Sequence, residues 1–467
     1  MPLAASAQFA PTVQHPLHTI HANVMSTSDT LTHNPAPGRP HAEPSHEEHV
    51  TPGDLAVGVI VGRISQSFDV FVFGLGCVLA FPHAFFPFAS QLDGMFYAFA
   101  LFALGFIARP LGSMFFLVLQ RHFGLATKLT IALFMLGMAT AGIAFMPGYA
   151  TLGWWAILAL ALLRFGQGFS LGGSWNGLAS LAALMAPRER RGWFAMLAQL
   201  GEPIGFILAA GLFAYIWSSL PADEFYAWGW RYPFFVAFAV NVVALFARLR
   251  MVVAPRYAEQ MTHRDLEPSP IRETFRSQGV NIALGAFAPL ASYALFYLVT
   301  IFGLSWALLF TQMSTIEFLL VQIIGALIAI PCMLLSGRIA DRFGRRTTLG
   351  VCGVLIAIYS GWTALMLSGG TVQAYLFILV GFALLGFSHA QAAGAANSGF
   401  PGEFRYTGAM ITSDLGWLIG AGFAPLVVLA LAQFLGADYV GLYLLSGAAG
   451  TLGALWFSRR RGSLPND

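Results

Sequence analysis

Seven ionisable side chains of this sequence stand inside long apolar stretches. They are three acids, three arginines and one histidine, namely Asp69, Glu202, Asp414, Arg63, Arg109, Arg164 and His389. A charged group at the centre of a lipid bilayer costs about 2.5 to 3.5 kcal/mol on insertion scales, so such groups are functional candidates by default. A buried acid can carry a proton, and an arginine can bind a carboxylate through two parallel hydrogen bonds.

The three acids are the candidates for carrying a proton. Asp69 follows Gln66 on one face of a predicted helix, because residues three or four apart share a face. Glu202 stands one turn from Gln199, and Asp414 occupies the position equivalent to Gln199 in an internal repeat. A structural ion pair is the alternative for each acid, and also for Arg109.

The candidates for binding a small organic substrate combine cations, amides and aromatic hydroxyls. They are Arg63, Arg164, Gln167, Tyr293, Tyr297 and His389. Arg164 is followed by Gly168 and Gly172 at intervals of four residues, so another helix can approach closely beneath its guanidinium. His389 can carry a proton near neutral pH, and a hydrogen-bonded packing role is its alternative.

The apolar stretches that hold these groups predict an all-α membrane protein. Only 10% of the residues are charged and 57% are hydrophobic, whereas a soluble domain carries about 25% charged residues. We count about twelve runs long enough to span a bilayer. They cover residues 54–80, 94–118, 128–147, 151–183, 192–217, 232–252, 280–310, 315–336, 347–368, 371–397, 406–433 and 438–457.

These runs divide the chain into two predicted six-helix halves. The halves cover residues 53–252 and 280–458, joined by a basic central loop at 253–279 and followed by a short tail at 459–467. Residues 1–52 hold seven of the eleven histidines, but without cysteines or regular spacing, so we predict a disordered tail and no metal site. The three cysteines lie in apolar runs and are expected to be buried thiols.

The basic residues are distributed very unevenly between the two predicted faces. We assign nineteen of the 24 Lys and Arg residues to one face: Arg121, Lys128, Arg188, Arg190, Arg191, Arg248, Arg250, Arg256, Arg264, Arg272, Arg276, Arg338, Arg342, Arg345, Arg346, Arg405 and Arg459 to Arg461. Arg231 alone is assigned to the opposite face. Because basic loops stay on the cytoplasmic side of the inner membrane, both termini are predicted to be cytoplasmic.

One loop of the basic face has a specific pattern, GRIADRFGRR at 337–346. We expect it to gate the cytoplasmic side, with Asp341 forming a charge pair with arginines of a neighbouring helix end. The predicted gate residues are Gly337, Asp341, Arg342, Gly344, Arg345 and Arg346. Internal repetition supports two related halves, since QLGEPIG at 199–205 matches DLGWLIG at 414–420, and HFG at 122–124 matches RFG at 342–344.

The loop pattern closely resembles the signature of the major facilitator superfamily, and further stretches resemble its metabolite–proton symporter family. They are FDVFVFG at 68–74, GFIARPLG at 105–112, RFGQGFSLGG at 164–173, WGWRYPF at 228–234 and RYTG at 405–408. The resemblance implies two pseudo-symmetric six-helix halves around a central cavity. It also implies alternating access and transport of organic acids or betaine-like zwitterions with protons.

The chain departs from that family where the family has carboxylates. Gln66 and Ser174 replace two glutamates, and Arg121 with His122 replaces Asp-Arg. Leu184 and Ser398 stand where acids are expected at helix ends. The usual proton carriers are therefore missing, and we hypothesise that Glu202, which the family pattern does not require, is the relocated proton site.

These observations predict a secondary transporter that moves a small organic acid across the inner membrane, coupled to protons. A proton-independent facilitator and a transport-incompetent ligand sensor are the alternatives. An enzyme is not expected, because no Ser/His/Asp set or metal-ligand cluster is found, and the absence of a phosphate-binding loop argues against a nucleotide-driven pump. We expect a monomer in the lipid bilayer, with no cofactor and no nucleic-acid partner.

Overall fold

A computed structural model describes residues 52–174, 190–252, 268–397 and 399–461. All regular elements in these ranges are helices. The predicted N-terminal tail lies outside the described residues, except for Pro52, as do residues 253–267 of the central loop and the last six residues. Leu184 and Ser398, two of the expected departures from the family, lie outside them as well.

The first half contains six long helices. They are α1 at Pro52–Leu79, α2 at 91–123, α3 at 125–145, α4 at Trp154–Gly173, α5 at Arg191–Ser219 and α6 at Tyr232–Val252. The helices α2 and α3 form one continuous element, Gln91–Phe145, which contains a single non-helical residue, Gly124. In α5 the chain makes a turn at 198–200 between two helical segments.

The second half repeats this plan. It contains α7 at 271–310, α8 at Thr315–Phe343, α9 at Arg345–Ser368, α10 at Thr371–Asn397, α11 at Gly402–Phe434 and α12 at Val440–Arg461. Eleven of the described helices are long and apolar enough to cross a membrane, and Gln91–Phe145, with 55 residues, is one of them. Since that element holds two spans, the described residues contain twelve, as predicted.

Two glycines turn the chain at equivalent places in the two halves. Gly124 separates α2 from α3 with φ at 82°, and Gly344 separates α8 from α9 with φ at 86°. A residue with a Cβ rarely adopts this left-handed conformation, so glycine is required at both turns. The sequence match between 122–124 and 342–344 therefore corresponds to one shared backbone turn.

Helices α2 and α4 pack closely because small residues face each other. A Cβ atom added at Gly168 would collide with the backbone of Gly105, and one at Gly172 would collide with the carbonyl of Arg109. This confirms the close approach that the glycine spacing after Arg164 predicted. It also sets the position along α2 at which Arg164 enters the interior of the first half.

Three helix boundaries differ from the sequence prediction by more than five residues. Helix α8 continues to Phe343, beyond its predicted end at 336, so the predicted loop at 337–346 is helical except for Gly344. The helix α7 begins at Ile271, inside the range predicted for the central loop, because its first two turns are polar and only their helical periodicity marks them. Pro270 directly precedes this start. The helix α4 ends at Gly173, ten residues before the predicted end, and the residues after Ser174 lie outside the described part.

Candidate functional site

A cavity lies between the two halves, in the interior of the helical bundle. It has a volume of about 60 Å³ and is bounded by residues of α1, α2, α4, α5, α7 and α11, so in this conformation it is smaller than the roughly 300 to 1,000 Å³ of most small-molecule sites. The lining residues are Arg63, Gln66, Ser67, Val70, Phe71, Gly105, Phe106, Arg109, Arg164, Leu171, Glu202, Phe296, Tyr297 and Trp417. Glu202 is the one acid among them.

Glu202 connects the two halves at the wall of this cavity. Its Oε1 atom lies 3.2 Å from Arg63 Nε, and its Oε2 atom is in close contact with Nε2 of His389. Arg63 belongs to the first half and His389 to α10 of the second. Nδ1 of His389 lies 3.2 Å from the hydroxyl of Ser292, which fixes the orientation of the ring.

Arg63 is held by two partners but remains accessible from the cavity. Its Nη2 atom donates a hydrogen bond to Oε1 of Gln199 at 3.2 Å, in addition to the ion pair with Glu202. The side chain keeps 22% of its surface exposed, whereas Glu202 keeps 5%. A guanidinium in this position can therefore contact both the protein and a molecule in the cavity.

Aromatic side chains form another part of the cavity wall. Trp417 and Tyr293 stack with their ring centroids 4.5 Å apart, and Phe296 meets Trp417 edge-on at 5.2 Å. Phe106 and Tyr297 meet edge-on at 5.7 Å. These contacts join α2 of the first half to α7 and α11 of the second, so rigid rings form the apolar side of the cavity.

Asp69 lies in a separate polar cluster inside the first half. Its Oδ1 atom accepts hydrogen bonds from Thr140 Oγ1 at 2.6 Å and Asn241 Nδ2 at 3.1 Å. Its Oδ2 atom accepts one from Gln167 Nε2 at 3.3 Å. Among the described residues no basic side chain lies within 4.0 Å of the Asp69 carboxyl group. Side-chain dipoles, rather than an ion pair, satisfy this buried acid.

Arg164 is enclosed between aromatic rings. Its guanidinium carbon lies 4.0 Å from the ring centroid of Phe73 and 5.0 Å from that of Phe102. Nη1 donates to Oε1 of Gln167 at 3.2 Å, so the amide of Gln167 connects Arg164 to Asp69. The side chain borders the cavity but is almost completely buried.

The two neutral replacements at family glutamate positions contact each other. Gln66 Nε2 donates to the hydroxyl of Ser174 at 2.8 Å and to its carbonyl at 3.2 Å. Both residues are buried. Carboxylates at both places would be adjacent and would share a proton, and this chain has a proton-independent hydrogen bond instead.

A second ion pair joins the halves at the edge of the cavity, where Arg109 borders the space and Asp414 does not. Arg109 Nε lies 2.7 Å from Oδ1 of Asp414. The other oxygen of Asp414 accepts a short hydrogen bond from Ser113, whose hydroxyl also lies 3.2 Å from the carbonyl of Gly172. The pair ties α2 to α11, and the side chain of Asp414 is almost entirely buried.

Asp341 makes a contact between the halves, but its hydrogen-bond donors are backbone groups and not the arginines we predicted, of which Arg345 and Arg190 act on its charge from a longer distance. Its Oδ1 atom accepts hydrogen bonds from the backbone N–H groups of Gly192 at 2.7 Å and Trp193 at 3.2 Å. Within the described part of the chain no arginine lies within 4.0 Å of its carboxyl group. The first turn of α5 offers unpaired N–H groups and the positive end of the helix dipole, which attract a carboxylate.

The other predicted gate residues surround this contact. A Cβ on Gly337 would meet Met196 at 3.1 Å, so the glycine allows α5 to pack against α8. Arg345 is buried and donates to the carbonyl of Gly394 at 2.8 Å. Arg342 is exposed, with its guanidinium carbon 5.3 Å from the ring centroid of Phe343, and Arg346 is half-buried.

A buried lysine links the halves at the same end of the bundle. Lys128 Nζ donates to Oε1 of Gln120 and to the hydroxyl of Tyr406, each at 3.0 Å. The Tyr406 hydroxyl in turn donates to Oε1 of Gln120 at 2.7 Å. Lys128 has no exposed surface. Arg121, one residue after Gln120, donates to the carbonyl of Pro268 at the start of the second half.

The predicted site residues thus fall into three places. Arg63, Arg164, Glu202 and Tyr297 border the cavity. His389 and Tyr293 lie directly behind its wall, against Glu202 and Trp417 respectively, whereas Asp69, Gln167 and Asp414 belong to the buried clusters described above. The sequence prediction missed Trp417, Phe106 and the Lys128 cluster. The position of Trp417 in the repeat DLGWLIG, opposite Glu202 in QLGEPIG, is the signal that could have identified it.

Comparison with known proteins defines the class of this protein. The family model of the Major Facilitator Superfamily matches residues 124–413. The inner membrane metabolite transport protein YhjE of Escherichia coli K12 is 32% identical over 423 residues, covering 88% of this chain and 96% of the relative. The chain therefore belongs to the major facilitator superfamily and is a membrane transporter rather than an enzyme.

Two further comparisons support this assignment. The shikimate transporter of Escherichia coli K12 is 30% identical over 410 residues, which cover 84% of this chain and 91% of the relative. The partially occluded inward-open structure of the xylose transporter XylE from E. coli has a TM-score of 0.66 and 15% identity, with 88% of this chain and 97% of XylE covered. The structural match confirms the fold of two six-helix halves.

Proposed function

We propose that this protein transports a small organic acid together with protons across the inner membrane, and that Glu202 carries the coupled proton. The observation that supports it best is the position of Glu202, which borders the cavity, forms an ion pair with Arg63 and is in close contact, across the interface, with His389. A proton on Glu202 removes the charge that holds both partners. The same event therefore changes the cavity and loosens the contact between the halves.

The other two buried acids fit this role less well. Asp69 accepts three side-chain hydrogen bonds in the interior of the first half, and Asp414 is paired with Arg109 behind the cavity wall. Neither acid borders the cavity. We assign the proton to Glu202 and give Asp69, with Arg164, a role in holding the first half around it.

Alternating access supplies the mechanism. In this structure Asp341 and Lys128 hold the halves together at the basic end of the bundle, which we place at the cytoplasmic face because basic loops remain inside. Opening this end requires the contacts of Asp341 with α5 and of Lys128 with Tyr406 to break. Substrate in the cavity would then exchange with the cytoplasm.

A two-stage experiment tests the proposal. Purified protein is first screened by thermal shift against carboxylates, zwitterions and aromatic acids, since a ligand at a hundred times its Kd stabilises by about 2.7 kcal/mol. Uptake of a stabilising compound is then measured with and without a protonophore. We expect uptake to collapse with the protonophore. Uptake that ignores the proton gradient would indicate a facilitator, and binding without any flux would indicate a sensor.

A further inference from the structure

We infer that the cavity selects a ligand with one carboxylate on an apolar ring, and that this carboxylate replaces Glu202 on Arg63 while Glu202 takes up a proton. The inference rests on the proposed function and adds the substrate class and the atoms that recognise it. It starts from the different surroundings of the three arginines that border the cavity.

Arg63 is the arginine that a ligand can reach and release. Arg109 is engaged at 2.7 Å by Asp414, an acid that lies outside the cavity wall. Arg164 is covered by Phe73 and Phe102 and is 1% exposed. The Arg63 side chain is 22% exposed, and its acidic partner also borders the cavity. A carboxylate can therefore take the place of Glu202 on Arg63 without entering the packed interior.

The charges of the site limit the ligand to one negative charge. Each of Arg63 and Arg109 already has one acidic partner. When a ligand carboxylate displaces Glu202 from Arg63, the remaining close partner of the Glu202 carboxylate is the imidazole of His389. With that imidazole uncharged, Glu202 becomes a buried anion without a cation, which is strongly unfavourable unless it is neutralised. One proton from water, added to the Glu202 carboxylate, restores the balance for one carboxylate. A second carboxylate would find no accessible cation among the lining residues of the described structure. Arg164 has no acid among the described residues within 4.0 Å, but it is 1% exposed and covered by two phenylalanine rings.

The neighbours of Glu202 keep the protonated form satisfied. The charged or titratable groups around it are Arg63 from α1, Arg109 from α2, Tyr293 and Tyr297 from α7, and His389 from α10. His389 stays fixed through Ser292. After Arg63 turns to the ligand, the ring of His389 still offers a hydrogen-bond partner to the carboxyl group, so the proton is shared between α5 and α10.

The aromatic part of the cavity wall fits an apolar ring. Phe71, Phe106, Phe296 and Trp417 present ring surfaces to the cavity, and Tyr297 lies between them. Stacked and edge-on contacts with such rings favour a flat or cyclic body over a flexible polar chain. Gln66 and Ser67 are the remaining polar lining groups beside Arg63, and both are already hydrogen-bonded to the protein.

Binding to the purified full chain in detergent tests this inference. The probes are cyclohexanecarboxylate, its uncharged amide cyclohexanecarboxamide, and cyclohexane-1,2-dicarboxylate. We expect the monocarboxylate to bind and the other two to bind at least tenfold more weakly. Because one proton is taken up with the ligand, its apparent Kd should rise about tenfold per pH unit at pH values where Glu202 is ionised.

Variants separate the exchange from other modes of binding. Glu202→Gln leaves Arg63 without its competitor, so the monocarboxylate should bind at least tenfold more tightly than to wild type at pH 8, with no pH dependence. Arg63→Gln should abolish binding. If that variant fails to fold, Arg63→Lys takes its place, and because it keeps the charge it should retain weak binding. The exposed acid Glu317 provides the matched control, since Glu317→Gln should behave like wild type.

The outcomes distinguish this inference from the proposed function. Equal binding of the amide, or a Kd that is independent of pH and unchanged in Glu202→Gln, would overturn the exchange even if transport proves to be coupled to protons. Conversely, binding with the expected pH dependence but uptake that ignores the proton gradient would retain the exchange and reject proton-coupled transport.

Discussion

The carboxyl group of Glu202 in α5 and the imidazole of His389 in α10 are in close contact across the interface of the two halves, although 186 residues separate them in the chain. Glu202 borders the cavity beside Arg63, and His389 lies behind Glu202. Rocking of the halves about this interface must alter or break the contact. A proton, a ligand carboxylate and the relative position of the halves therefore act on the same two side chains.

The contact of Asp341 with α5 predicts that substitutions at Asp341 and at Arg121, its counterpart in the first half, have unequal effects on uptake. Asp341→Ala removes a carboxylate from the first turn of a helix, a loss of about 1 kcal/mol, and should lower the uptake rate. Asp341→Asn keeps one acceptor oxygen but loses the charge, so its defect should be smaller, though larger than that of Arg121→Gln. Arg121 is exposed, and among the described residues its hydrogen bonds go to the carbonyl of Pro268. Equal and negligible effects on uptake at both positions would argue against a latch at Asp341.

The buried Lys128 cluster predicts a second contact that closes the basic end of the bundle. Tyr406→Phe removes the hydroxyl that contacts Lys128 and Gln120, and a charged group that loses a buried partner costs about 1 to 3 kcal/mol. We expect a lower thermal midpoint in detergent and an uptake rate that changes with it. Tyr439→Phe, at an exposed tyrosine, is the control. If Tyr406→Phe is as stable as wild type and as the control, the cluster does not hold the halves together.

The pair of Arg109 and Asp414 predicts strong coupling between two helices of different halves. Removing one partner leaves an unpaired buried charge, so Arg109→Gln and Asp414→Asn should each lower stability by about 3 kcal/mol. The double variant should be less destabilised than the sum of the single variants. Thermal unfolding of all four proteins in one detergent measures this. Additive effects would show that the two side chains stabilise the fold independently.

Hydropathy and glycine spacing were sufficient to predict most of the fold. The twelve spans follow from apolar length, and the repeat of HFG and RFG predicted equivalent turns, because Gly124 and Gly344 both need a positive φ. The start of α7 at Ile271 was missed because an amphipathic first turn does not register as an apolar run.

The site was harder to predict, because its contacts join residues that are far apart in the chain. The sequence identified Glu202, His389, Arg63 and Asp414 as unusual charges in apolar helices, but a helical wheel does not reveal which charges meet. For Asp341, too, the sequence did not reveal which groups the side chain contacts. Its charge suggested an arginine partner, whereas the available donors were backbone N–H groups at the end of a packed helix.

The orientation of the bundle predicts opposite labelling at its two ends. Ser277→Cys lies at the basic end and Asp223→Cys lies in the connection between α5 and α6 at the other end, and both positions are exposed. In intact cells an impermeant thiol reagent should label Asp223→Cys and leave Ser277→Cys unmodified until the membrane is permeabilised. The parent protein, with its three native cysteines, sets the background. Labelling of Ser277→Cys in intact cells would reverse the proposed orientation.

Transport by Glu202→Gln in proteoliposomes tests the central claim most directly, with Glu317→Gln as the matched control at an exposed acid. The glutamine at 202 keeps the size of the side chain but cannot release a proton. We predict that Glu202→Gln still exchanges substrate between the two sides, but no longer concentrates it when a proton gradient is applied, whereas Glu317→Gln does both. If Glu202→Gln accumulates substrate against its gradient as wild type does, Glu202 does not carry the coupled proton.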